Sequence, residues 1–145
     1  MTQRRVEPLP AADFEFLAAA LPEGEAVARV DGSASALTTA TAVDDAIRRA
    51  RTEGQAFTDK QLAGLGVLWG KAVSQASGWT WARIVDQDAD HICLVAQDHA
   101  HACLPLAFIA EQVESAEESR ALLVFEMISK GPLPEANLEE LLFVG

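Results

Sequence analysis

The sequence predicts an α+β domain, in which N-terminal helices lead into a three-stranded antiparallel β-meander that is followed by C-terminal helices. Two patterns predict this order. Apolar residues recur every three or four positions before Gly78, and they alternate along the chain directly after it. A chain of 145 residues has the length of a single domain. We divide it into a helical part (1–57), a core (58–113) and a second helical part (114–145).

The helical part begins with a segment that prolines bracket. Its spacing predicts a helix over Ala11–Leu21, with Phe14 and Leu17 on the apolar face. The short apolar stretch Glu25–Val30 predicts a strand. A second helix is predicted over Ser35–Glu53, where an apolar residue returns at each turn.

The third helix has the clearest boundaries. Thr58 and Gln61 have the spacing of a capping box, and Gly78 is a typical residue for a helix end. Gly66 and Gly70 lie inside this helix, where each costs about 1 kcal/mol relative to alanine. We therefore expect another element to approach the helix closely at these two glycines.

Three arginines, Arg48, Arg49 and Arg51, lie near the end of the second predicted helix. Positive charge in a last turn favours the negative end of the helix dipole, and we interpret the arginines in this way. The alternative is a phosphate-binding cluster.

The meander consists of three predicted strands, Trp79–Val85, His91–Ala96 and His101–Leu104. Pro105 suits the first position of a helix, which we predict over Pro105–Val113.

Two further helices are predicted after the meander. Ser115–Glu118 has capping-box spacing, and it predicts a helix that extends to Lys130. A last short helix is predicted over residues 134–143.

Composition and charge exclude several classes of function. The net charge is −11, with 22 acidic and 11 basic residues, so nucleic acid and anionic lipid are disfavoured as partners and a basic protein is favoured. No apolar stretch has the length of a membrane span, and the N-terminus lacks the pattern of a signal peptide. Two cysteines are too few for a disulfide framework, which favours a cytoplasmic location.

The second and third strands contain all the histidines and cysteines of the chain. His99, His101 and Cys103 would share one strand face, and His91 and Cys93 would share a face of the neighbouring strand. Zinc is typically held by four such ligands, so a zinc site is one interpretation. We favour a structural hairpin with no metal, because Asp98-His99 falls at the turn and free cysteine is common in cores. No oxyanion-hole pattern accompanies either cysteine, so we expect no catalytic residues and no cofactor.

Three aspartates, Asp86, Asp88 and Asp90, lie between the first two predicted strands. Their spacing begins like an EF-hand loop, but His91 replaces the required glycine and Gln97 replaces the required glutamate. We interpret the segment as an acidic turn.

Trp79 and Trp81 stand at the junction between the third helix and the meander. Tryptophan in such a place is typical of core packing, although it is also favoured at protein interfaces. The candidate partner-binding residues are therefore Trp79, Trp81, Asp86, Asp88 and Asp90.

A set of short motifs over residues 58–113 resembles the bacterial domain of unknown function 3806 family. The motifs are Leu65-Gly66 with Gly70, Gly78 with Trp81, Asp86–Asp90, and Leu104-Pro105-Leu106. The resemblance implies no known activity, and family members lack a cluster of histidine and cysteine in the hairpin.

These observations predict a non-enzymatic, cytoplasmic bacterial domain that binds protein, as an adaptor or as an immunity-type protein that neutralises a basic toxin. One alternative is an acidic dimer that resembles secretion chaperones. A second alternative is a small zinc-binding protein that uses the hairpin of residues 91–103.

Overall fold

The structure is a computed structural model, and it describes residues 5–85, 90–131, 133 and 142–145. The α+β class is confirmed. The helices are α1 (Ala11–Ala28), α2 (Ala36–Glu53), α3 (Asp59–Ser77), α4 (Pro105–Glu114) and α5 (Ala121–Lys130). The strands are β1 (Arg5–Pro8), β2 (Thr80–Val85), β3 (Asp90–Val95), β4 (His101–Cys103) and β5 (Leu142–Phe143).

The strands form one sheet in the order β1-β2-β3-β4-β5. The first four are antiparallel, and β5 is parallel to β4. The predicted meander forms the centre of this sheet, and the structure adds a strand at each edge. Both added strands are short, and pairing with distant residues fixes them, so local periodicity gave no sign of either.

Helix α3 lies at the centre of the helical layer, where it contacts the other four helices. Trp69 is fully buried, and its ring lies 4.8 Å from the ring of Phe108 between centroids. The indole Nε1 donates a hydrogen bond to the carbonyl of Ala121 over 2.9 Å. A buried tryptophan thus has its polar atom satisfied, which ties α3 to the start of α5.

The predicted ends of α3 are confirmed. The Thr58 hydroxyl accepts from the Gln61 amide, and the Gln61 side chain accepts from the Thr58 amide, so both bonds of the capping box are present. Gly78 ends the helix with φ at 79°, a left-handed conformation that glycine adopts without strain.

The expected close approaches at two glycines of α3 are also confirmed. A Cβ on Gly66 would lie 2.9 Å from the Cα of Leu106, and one on Gly70 would lie 2.4 Å from the Trp81 ring. A third close approach, which the sequence does not predict, occurs at Gly64, where a Cβ would lie 2.4 Å from the backbone nitrogen of Gly24. The backbones of α1 and α3 therefore touch where the two helices cross.

The predictions for residues 11–30 were wrong in three respects. The helix continues through Pro22 to Ala28, and it includes most of the stretch predicted as a strand, Glu25–Val30. Burial against α3 at Gly24 and Ala28 stabilises the second half of α1 despite the proline. The buried face also differs from the prediction, since Phe14 is 51% exposed.

The helix predicted from Ser115 was also placed wrongly. Ser115 follows the end of α4, its hydroxyl accepts from the Glu117 amide in a short turn, and α5 begins only at Ala121. Distant groups supply the contacts that start α5 there. The Gln112 side chain accepts from the Arg120 amide, and Asp44 on α2 accepts from the Leu122 amide.

The last predicted helix, over residues 134–143, lies mostly outside the described residues. Its final two residues, Leu142 and Phe143, form β5 instead of a helix, and β5 pairs with β4.

Candidate functional site

The two cysteines of the hairpin lie on opposite faces of the sheet. Cys103 lies opposite Leu94 in the register, and both pack in the core beneath the helices. Cys93 directly precedes Leu94 on β3, and adjacent residues of a strand point to opposite faces. Cys93 therefore lies on the other face of the sheet, where it packs with Ala82 and Ile84. The two thiols therefore cannot join one tetrahedral site without a rearrangement of the strands.

The three histidines are also dispersed. His91 is exposed at the start of β3, and His99 is exposed in the turn with φ at 59°, so the predicted position of Asp98-His99 at the turn is confirmed. His101 is buried, with Nδ1 3.6 Å from the Asp98 carboxylate. The Ala100 amide, which donates to Asp98 over 2.8 Å, lowers the pKa of that carboxyl group, and the nearby His101 lowers it further.

Burial keeps both cysteines in the thiol form. It raises the pKa of Cys93 to about 12, and it raises the pKa of Cys103, to which Cys93 also contributes. Because the thiolate is the form that attacks carbonyls and binds metals, neither cysteine is activated at neutral pH. Within the described part of the chain, no three His, Cys, Asp or Glu side chains converge on a common point.

The residues predicted to bind a partner differ in exposure, and two of them lie outside the described residues. Trp79 is only 5% exposed, and Trp81 is half-buried against Gly70. Their positions correspond to the packing interpretation of the two tryptophans. Asp86 and Asp88 lie outside the described residues. Asp90 is exposed and pairs with Arg83 over 3.0 Å.

Arg48 joins a network that connects α2 to the segment before α5. Its Nε donates to Asp44 over 2.7 Å, and this bond raises the pKa of the guanidinium. The other oxygen of the buried Asp44 carboxylate accepts from the Ser119 hydroxyl over 2.7 Å. We refer to Asp44, Arg48 and Ser119 as the polar network.

Arg51 strengthens the same connection, since its guanidinium donates to the carbonyls of Gln112 and Glu117. Arg49 points elsewhere and donates to Val27 on α1 over 3.1 Å. The three arginines therefore do not form the single phosphate-binding cluster that was the alternative to the dipole interpretation.

Phe16 on α1 is the centre of an exposed apolar region. Its side chain is 42% exposed and lies between two surface depressions of about 470 and 480 Å³, both of which it lines. The first depression extends to the starts of β3 and α4, and the second lies between α1 and α3. We call Phe16 and both depressions the Phe16 surface, and its other main lining residues are Asp13, Ala19, Ala20, Asp59, Lys60, Ala63, Asp90, His91, Ile92, Leu104, Leu106 and Ala107.

Carboxylates dominate the rim of the Phe16 surface. Asp13 and Asp90 both belong to it, and Arg83 lies between them, 4.0 Å from the first and 3.0 Å from the second. Asp59 and Lys60 lie at the other end, where Lys60 pairs with Glu23 over 3.4 Å. The two basic groups are thus already engaged with acidic neighbours.

Sequence patterns did not single out Phe16, although one signal was present. Phe14 and Phe16 are about 200° apart around a helix, so they cannot both face one core. Leu17 and Ala20 occupy the buried face of α1, and both phenylalanines remain exposed.

Comparisons with protein-family models, with curated proteins and with solved structures find no match to this chain. The resemblance to the bacterial domain of unknown function 3806 family therefore stays a prediction. Among the described helices, none combines the length and the apolar character that a bilayer span requires.

Proposed function

We propose that this chain is a non-enzymatic protein-binding domain, and that the Phe16 surface receives an apolar side chain from a basic partner. The observation that carries the proposal is an exposed aromatic ring between two apolar depressions. Aromatic side chains in desolvated pockets supply much of the binding energy at protein interfaces.

The burial pattern of α1 supports this proposal. Leu17 and Ala20 already fill the buried face of the helix, so the fold does not require a phenylalanine at position 16. Each depression has the volume of an ordinary binding cleft. A leucine or an aromatic residue of a partner could enter either one and pack against the Phe16 ring.

The charge of the surface specifies the chemistry of the partner. Asp13, Asp59 and Asp90 surround the apolar centre. Arg83 pairs with both Asp13 and Asp90, and Lys60 pairs with Glu23, so these four carboxylates outnumber the two cations. The whole chain carries −11. Lysine or arginine on both sides of an apolar anchor would therefore match this rim and would accelerate association.

An immunity-type protein that neutralises a basic toxin in the cytoplasm is the most concrete form of this proposal, and an adaptor is the other form. The protonated thiols and the dispersed histidines support a role without catalysis. The zinc-binding alternative would need the hairpin residues to gather at one point, yet Cys93 and Cys103 lie on opposite faces.

The secretion-chaperone-like dimer is the second candidate, because an exposed apolar surface also suits a contact between two copies. A photo-crosslinking test separates the two candidates. We would place a benzophenone-bearing residue at position 16 in cells of the source organism, with position 14 as the control. Phe14 is equally aromatic and more exposed, but it lines neither depression.

We expect position 16 to form one adduct with a basic protein, and position 14 to form none with it. The Phe16→Ser variant should then bind the identified partner about tenfold more weakly or worse, while Phe14→Ser should bind normally. An adduct between two copies of the chain would support the dimer. Equal crosslinking from both positions would remove the basis of the proposal.

A further inference from the structure

We propose that a third depression, between α1 and α2, binds a small organic anion through Arg29 and Arg49. The ligand would carry a phosphate or carboxylate group and a short apolar portion. The depression has a volume of about 240 Å³ and shares no lining residue with the Phe16 surface. This inference is therefore independent of the proposed function.

A hydrogen bond positions one of the two arginines at this depression, and the backbone at the end of α1 positions the other. Arg49 is half-buried on α2, and the bond from its Nη2 to the Val27 carbonyl orients its planar fork. Arg29 follows the last residue of α1 in a left-handed conformation, with φ at 57° and ψ at 47°. A guanidinium has five N–H donors, so the Val27 bond leaves Arg49 with donors for a ligand.

Neither arginine has a carboxylate partner among the described ion pairs. Among the residues that the structure describes, no ion pair within 4.0 Å involves Arg29 or Arg49. In contrast, Arg48 and Arg83 have carboxylate partners, in a chain with twice as many acidic as basic residues. Two unpaired arginines at one depression favour an oxyanion, since the guanidinium fork matches both phosphate and carboxylate.

Other lining groups suit the rest of such a ligand. Gln55 and Gln61 add side-chain amides, and the oxygen of Gln61 is used by the Thr58 amide, which leaves its NH₂ group as a donor. Phe57 and Ala46 add apolar surface. Glu23 also lines the depression, but its carboxylate pairs with Lys60 over 3.4 Å. The small volume restricts the ligand to a metabolite-sized molecule.

Phenyl phosphate is a suitable probe, with benzoate and inorganic phosphate as comparisons. We would titrate the isotope-labelled protein at constant ionic strength and follow the NMR signals of the Gln55 and Gln61 side-chain amides and of the Arg49 Nε–H. Phenyl phosphate should give saturable shifts of these signals at millimolar concentration. Benzoate separates a carboxylate ligand from a phosphate ligand, and saturable binding of either one supports the proposal.

Three variants test the role of the arginines. Arg49→Gln and Arg29→Gly should each weaken binding about tenfold, because each removes one charge-assisted hydrogen bond to the ligand. Arg120→Gln is the matched control, because it removes an exposed arginine elsewhere and should leave affinity unchanged. Glycine suits the left-handed conformation at position 29, so Arg29→Gly should fold normally and its result should be interpretable.

Three outcomes would overturn the proposal. One is the absence of saturable shifts with either phenyl phosphate or benzoate. Another is binding that persists at full strength in both Arg29→Gly and Arg49→Gln. The third is equal affinity for inorganic phosphate and phenyl phosphate, which would contradict an apolar portion in the ligand.

Discussion

Two helix contacts in this molecule are built in opposite ways. Where α1 crosses α3, Gly24 and Gly64 lack side chains and the backbones touch. Where α2 meets the segment before α5, the polar network of Asp44, Arg48 and Ser119 makes the contact through hydrogen bonds. The first contact is sensitive to any added atom, and the second is sensitive to the loss of any partner.

The glycine crossing also borders the proposed site. Ala20 and Ala63 line the Phe16 surface from α1 and α3, next to the glycine crossing. The close crossing fixes these two helices relative to each other, so the depression between them has a defined shape before any partner arrives. The polar network, in contrast, lines neither depression of the Phe16 surface.

The largest effect is expected from Gly64→Ala. The new Cβ would lie 2.4 Å from the Gly24 nitrogen and 2.8 Å from the Ala20 carbonyl oxygen, so the helices would have to separate. We expect the free energy of unfolding to fall by about 3 kcal/mol, as measured by urea denaturation.

Gly54→Ala is the control for this substitution. A Cβ at position 54 would meet nothing within 4 Å, and only the positive φ of 66° opposes it, so the expected loss is about 1 kcal/mol. Equal losses at positions 54 and 64 would show that steric contact does not define the crossing.

A smaller effect is expected from Asp44→Ala. The substitution leaves the Ser119 hydroxyl and the Leu122 amide without their acceptor, and Arg48 without its partner. We expect unfolding to require about 2 kcal/mol less, measured in the same denaturation assay.

Asp45→Ala provides the matched control, because Asp45 is an exposed neighbour on the same helix. Its effect should stay below about 0.5 kcal/mol. If both substitutions cost the same, general charge rather than the polar network would explain the loss at Asp44.

The smallest of the three effects is expected from Ser119→Ala, at about 1 kcal/mol. This hydroxyl donates to Asp44 over 2.7 Å and accepts from the Ala121 amide over 3.3 Å. A double-mutant cycle with Asp44→Ala should give a cost for the pair that is lower than the sum of the two single costs. Strict additivity would mean that the two residues do not act as one network.

Local chemistry made part of the fold predictable. The capping box at Thr58 and Gln61 and the glycine at position 78 define α3, because each acts within a few residues of itself. The glycines at positions 66 and 70 indicated close contacts, and the structure has them. Such signals need no knowledge of distant residues.

The errors arose where distant contacts determine the result. Pro22 does not end α1, because burial against α3 stabilises the following residues as helix. Ser115 has the spacing of a capping box, yet α5 starts later, where Gln112 and the polar network supply its partners. The exposure of Phe16 likewise depends on which residues of α1 face α3, and the sequence of α1 alone does not determine this.

The pairing of β1 with β2 has a consequence for synthesis. Arg5 lies opposite Val85, so the first strand leaves the ribosome long before the strand that it pairs with. Helices α1, α2 and α3 lie between the two strands and form through contacts of shorter range, which are the faster ones to make. During translation, β1 therefore cannot pair fully with β2 until residue 85 has been made, whereas contacts among α1, α2 and α3 need only residues that precede β2.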